Sequence, residues 1–238
     1  MYSVLLSEYE EGMKLVENKL KTIIHGDDKA VIIAWTFPTE LDLKTFNEEW
    51  FPKGGRRYNK YVGSLLKLGL KEDNITILNC YEKEKFKEFK DIIDNSQILI
   101  ITGGNPEMLY SKVTQETELL YNIKHYKGIL IGFSAGAELQ LKRYFITAKN
   151  NYYKYFAFYD GFGVLDDPFY LDVHSINNKR YLTKLQKVAS EKKKTVYAIF
   201  NDGAMIYNRA TGKLELFGNV LTFLPEEQLN KNIDTRNF

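Results

Sequence analysis

The chain has 238 residues, 44% hydrophobic and 27% charged, and its 33 basic and 31 acidic side chains leave a net charge of only +2. That length suits a single domain spanning residues 1–238 with a sizeable core, and the scattered, balanced charge builds no electrostatic footprint for nucleic acid. Apolar runs such as AVIIAW and ILII fall far short of the roughly 20 residues of a membrane span. The amino-terminal MYSVLLSEYEEG lacks a basic region followed by a long apolar core, so a cytoplasmic protein with no membrane partner is expected. One cysteine, Cys80, can form no internal disulfide, which suits a reducing compartment and excludes a multi-cysteine metal site.

Along the chain, short apolar runs alternate with longer amphipathic stretches. YSVLL reads as a strand, and EGMKLVENKLKTII carries Met13, Leu15, Val16, Leu20, Ile23 and Ile24 close to helical period. AVIIAW is a second strand; Leu43 to Leu70 is mostly helical, broken by FPKGGRR. NITILNC is a third strand, EKEKFKEFKDIIDN a helix with Phe86, Phe89, Ile92 and Ile93 on one face, and QILIIT a fourth strand. After Gly103-Gly104, the run Asn105-Pro106-Glu107 combines a capping side chain, a first-turn proline and an acid at the positive helix end. GILIGF is the fifth strand.

Strands this apolar, separated by helices, call for a mostly parallel sheet covered on both faces, hence a doubly wound α/β fold. The tail TVYAIFNDGAMIYNRATGKLELFGNVLTFL changes character, with short strand-like runs split at Asp-Gly and Thr-Gly. It predicts antiparallel strands extending the sheet at its carboxy-terminal edge.

In such a sheet ligands bind beyond the carboxyl ends of the strands. There the fifth strand runs into Gly132-Phe133-Ser134-Ala135-Gly136, a G-x-S-x-G turn that pushes a serine hydroxyl out as a nucleophile. Gly103-Gly104 follows the neighbouring fourth strand, and its backbone N–H groups, with that of Ala135, suit an oxyanion hole. A plain tight turn is the other reading of the glycine pair. Neither G-x-G-x-x-G nor G-x-x-x-x-G-K-[ST] occurs, so neither a phosphate cradle nor a cofactor is expected.

Three histidines could serve as base. His25 and His125 precede strands, and at about 3.3 Å per residue His125 starts roughly 20 Å from Ser134. His174 ends the apolar run FYLDVH, where a strand delivers it to the functional edge. Cys80 has no G-x-C-x-G frame and reads as an incidental thiol.

Taken in order, ITGGNPEML, GILIGFSAGAELQL, GFGVL and DVH resemble the dipeptidase E and cyanophycinase family of serine peptidases, whose domain is similar to the class I glutamine amidotransferase fold, a flavodoxin-like architecture. The resemblance spans about Gln97 to Asn219. It implies Ser134 as nucleophile, His174 as base, the Gly103-Gly104 turn in the oxyanion hole, and a small peptide substrate cleaved at aspartyl bonds by cationic recognition of the acid, for which Arg180 is a candidate. No metal or cofactor is implied, and a homodimer stays open. The family usually supplies an acidic third triad member in the connection after the serine's helix; here that connection reads ITAKNNYYKYFAFYDG, with Asn150-Asn151 in its place. Asp160 and Asp172 are the acids that could substitute, and Asp172, two residues before His174, would share its strand face. Without an acid, a catalytically weak or inactive relative that binds a small acidic ligand in the same cleft is the alternative to a hydrolase.

Overall fold

The computed structural model describes residues 1–35, 42–82, 89–148 and 155–226. Strands β1 (Tyr2–Leu6), β2 (Ala30–Ile33), β3 (Ile75–Leu78), β4 (Ile98–Ile101) and β5 (Ile129–Phe133) lie in the order β3-β2-β4-β5-β1, and all pairings among them are parallel. Their near-continuous apolar sequences follow from burial on both faces. Ile98 and Ile100 of β4 enter one core cluster, while Leu99 and Ile101 enter the cluster on the opposite face. Each such side chain removed from water contributes about 1.5–3 kcal/mol.

Helix α1 (Tyr9–Leu20) covers one face through Tyr9, Met13, Val16 and Leu20. It stops before Ile23 and Ile24, and Leu15 is exposed. The stretch around FPKGGRR breaks as expected, with a short helix α2 (Leu43–Thr45) and a π-helical turn at Phe46–Trp50 before α3 (Arg56–Lys67). Helix α4 (Phe89–Asp94) carries Phe89 and Ile93 into the core; the earlier part of that expected helix, Phe86 included, lies outside the described residues. In α5 (Pro106–Thr114) the Asn105 side chain accepts the Met108 N–H at 3.0 Å, the cap its sequence announces. Helix α6 (Thr117–Lys124) leads into β5.

After β5 come the one-turn helix α7 (Ala135–Glu138), an antiparallel two-stranded ribbon of β6 (Arg143–Ile146) and β7 (Ala157–Asp160), β8 (Tyr170–Val173) and α8 (Lys179–Lys192). The tail does form an antiparallel edge, but the expected break at Asp202-Gly203 is not a turn. Strand β9 (Val196–Asn208) runs through it, the hairpin turns at Thr211-Gly212, and β10 (Leu214–Phe223) returns along β9. Between Ile199 and Gly203 the β9 chain carries extra residues opposite β10, a bulge seated on Asn219, whose carbonyl a Cβ at Gly203 would strike. A lone glycine in a strand therefore marked a bulge here, where turn chemistry had been the simpler expectation.

That long strand creates a seam. One side of β9 pairs with β10; the other pairs with β8 over Val196–Ile199, in parallel, and with β1 over Ala204–Asn208, antiparallel. Strands β8 and β1 thus meet end to end, each presenting its carboxyl end to the bulge. Among the described residues no helix is long and apolar enough to cross a membrane.

Candidate functional site

Ser134 leaves β5 with φ 50° and ψ −123°, a conformation that costs a non-glycine residue roughly 1–3 kcal/mol and must be held by its surroundings. The flanking glycines explain how it is held. A Cβ at Gly132 would meet the carbonyl of Gly136, and one at Gly136 would meet the carbonyls of Ile101 and Thr102, so α7 seats directly on the end of β4. Ser134 N donates to Leu6 O at 2.9 Å, fixing the turn to the end of β1 as well.

His174 follows β8 at the seam, also at positive φ, 51°. Its Nε2 lies 2.9 Å from Ser134 Oγ and its Nδ1 lies 2.8 Å from Asn201 Oδ1. Because the amide oxygen can only accept, Nδ1 carries the proton and Nε2 is left to accept from the serine hydroxyl. Asn201 stands in the β9 bulge, which turns its side chain toward the seam. Ser7, fully buried just after β1, completes the set: its Oγ accepts the His174 backbone N–H at 2.7 Å and donates to Asn201 Oδ1 at 3.5 Å.

The other expected site residues fall as follows. Ala135 begins α7, so its N–H has no acceptor within that helix. Gly103 packs on the Phe133 ring one residue before the serine, and Gly104 continues the turn at φ 133°. Asp172 is not at the imidazole: its carboxylate, 1% exposed, accepts from Tyr181 Oη at 2.6 and 2.7 Å and from Ser175 Oγ. The shared strand face expected for Asp172 and His174 is lost because β8 ends at Val173 and the positive φ of His174 breaks the alternation. Asp160 pairs with Arg143 in the β6–β7 ribbon and is exposed. Asn150 and Asn151 lie outside the described residues. Arg180 is exposed in the first turn of α8. Cys80 is a partly buried free thiol, and His125 caps α6 against Tyr121.

Sequence reasoning passed over Asn201 and Ser7. Asn201 sat in an apparent turn, and only the strand-interior glycine beside it hinted at a bulge. Ser7 immediately follows an apolar strand, the same signal that singled out Ser134 and His174. Among the described residues no group of three or more His, Cys, Asp or Glu side chains could hold a metal ion.

A parallel α/β sheet whose central strand ends in a strained serine hydrogen-bonded to an imidazole has the architecture of a serine hydrolase. The family model for peptidase family S51 matches residues 56–214, and the chain belongs to that family of serine peptidases. Its fold is similar to that of a Listeria monocytogenes EGD-e protein provisionally named as a peptidase E (TM-score 0.52, 19% identity, 93% of this chain and 96% of that one). It is also similar to a peptidase from an acI-B1 actinobacterium (TM-score 0.50, 12% identity, 94% of each chain). No curated protein matches the sequence.

Proposed function

We propose that the chain hydrolyses short peptides through an acyl-enzyme on Ser134. Ser134 Oγ attacks the scissile carbonyl carbon as its proton passes to His174 Nε2. The resulting oxyanion is received by the Ala135 N–H and by an N–H of the Gly103-Gly104 turn. The C–N bond then breaks, Nε2–H protonates the departing amine, and a water activated by the same imidazole releases the acid. Asn201 keeps the tautomer that this sequence of proton transfers requires, but as a neutral amide it offers the imidazolium no balancing charge.

The observation that carries the reading is the 2.9 Å contact between Nε2 and a serine oxygen held at positive φ. A preference for aspartyl bonds is part of the proposal and comes from the family resemblance. The neutral Asn201 favours one second reading, a relative that binds an acidic peptide but turns it over weakly. A fluorophosphonate probe separates the two. It is expected to modify Ser134, with labelling abolished in Ser134→Ala while the thermal transition is unchanged. A wild-type protein that never labels, or a mutant that still does, overturns the hydrolase reading.

A further inference from the structure

We propose that Ser7 sets the tautomer of His174, its hydroxyl proton holding the amide oxygen of Asn201, and not the NH2, against the imidazole. This positioning role rests on the hydrolase reading above, in which Nε2 takes the Ser134 proton. A carboxylate beside Nδ1 would need no such help, because both of its oxygens only accept. A neutral amide has one face of each kind. Turned over, it would present a donor to Nδ1, so Nδ1 would become the acceptor and Nε2 would carry the proton, with no lone pair left there for the Ser134 hydroxyl.

Ser7 opposes that turn. It directly follows β1, whose last residue, Leu6, pairs with Ala204 of β9, while Val173 at the end of β8 pairs with Ile199, so Ser7 plugs the seam between the two strand ends. The residue is 0% exposed, and bulk water cannot take its proton. Its Oγ accepts the His174 backbone N–H at 2.7 Å, and its other polar neighbours among the described residues are Asn201 Oδ1 and His174 Nδ1, both at 3.5 Å. The single hydroxyl proton therefore has two acceptors to choose from. With the amide oxygen inward, Nδ1 carries hydrogen and the Ser7 proton goes to Oδ1, which accepts from both groups. With the NH2 inward, the amide fills the one in-plane lone pair of Nδ1 at 2.8 Å, and the Ser7 proton is buried without an acceptor. At 3.5 Å the bond to Oδ1 is long and weak in itself; the bias comes from the cost of the orphaned donor in the other orientation. One hydroxyl thus holds both the positive-φ backbone of His174 and the placement of its proton.

The test reads the proton directly and needs no turnover. Long-range proton–nitrogen correlation NMR, at a pH where the imidazole is neutral, distinguishes Nδ1–H from Nε2–H, and His174→Gln identifies the signals of this ring. The wild type is expected to be the Nδ1–H form. In Ser7→Ala the ratio of Nε2–H to Nδ1–H should rise by about tenfold or more, the range for a buried hydrogen bond left unmade. In Asn201→Asp the same Ser7→Ala change should leave the ratio where it was, since a carboxylate has no donor face, whereas a role confined to the backbone would act equally in both backgrounds. Melting temperatures report whether each variant folds, and Ser7→Cys, close in shape but a weak donor, takes the place of Ser7→Ala if that variant does not. An Nε2–H wild type, a ratio indifferent to loss of the Ser7 hydroxyl, or an equal shift in the Asn201→Asp background overturns the proposal. Fluorophosphonate labelling of Ser134 is scored apart from the tautomer, so the hydrolase reading and the role of Ser7 can fail separately.

Discussion

At the scale of single residues, the side chain paired with the His174 imidazole is the neutral amide of Asn201. Converting the acid of a serine triad to its amide lowers kcat by about four orders of magnitude in the best-studied case, because the imidazolium formed in the transition state is left without a counter-charge. The reverse substitution, Asn201→Asp, places a carboxylate 2.8 Å from Nδ1 and is expected to raise kcat on an aspartyl peptide by at least about tenfold, with KM little changed, since the gain belongs to the transition state. A kcat that does not rise, or a gain that appears in KM alone, would remove Asn201 from the role given to it. Ser7 contributes differently, as a positioning residue that fixes the strained His174 backbone through its N–H.

At the scale of elements, a buried knot locks the histidine's strand in place. Asp172 on β8 accepts from Tyr181 of α8 and from Ser175, and Tyr181 Oη lies 2.9 Å from Thr147 Oγ1, just past β6. Burial and the adjacent carboxylate push the Tyr181 phenol well above its ordinary range, so it remains a donor at every working pH. Tyr181→Phe strips a buried carboxylate of the donor that reaches both of its oxygens and should cost about 1–3 kcal/mol in urea denaturation. Because the knot sets the position from which His174 leaves β8, fluorophosphonate labelling should slow as well. Full stability with unchanged labelling would show that the knot carries nothing. An acid two residues from the histidine thus supports the site from below and takes no part at the imidazole.

At the scale of the whole molecule, the sheet is fastened at the end remote from the site. Arg209, just past β9, donates to the carbonyls of Tyr126, of Gly128 at 2.7 Å and of Tyr2 at 3.3 Å, clamping the amino ends of β1 and β5. Burial pulls its guanidinium down to about 10. Arg209→Met removes the guanidinium donors from all three carbonyls, leaving Gly128 O with the Tyr2 N–H at 3.2 Å, and should lower stability by about 2–3 kcal/mol while sparing Ser134 labelling well below the unfolding midpoint. Loss of labelling in the folded variant would instead tie this end of the sheet to the site.

Much of this could be read along the chain. The five parallel strands, the capped α5 and the serine turn each declare themselves through local rules: unbroken apolar runs, a capping triplet, and glycines where a Cβ has no room. Ser134 and His174 stand out in the sequence because each follows a strand, and the carboxyl ends of the strands bring them to 2.9 Å of one another. What only the tertiary structure decided is the partner of the imidazole and the hydroxyl that holds the histidine's backbone. Asn201 lies 27 residues from His174 and Ser7 lies 167, and neither pairing is local. They meet because β9 bulges at the point where β8 and β1 abut, a consequence of long-range pairing register that no window of sequence contains. Local composition fixes what each segment is, but the register between segments fixes which side chains share a site.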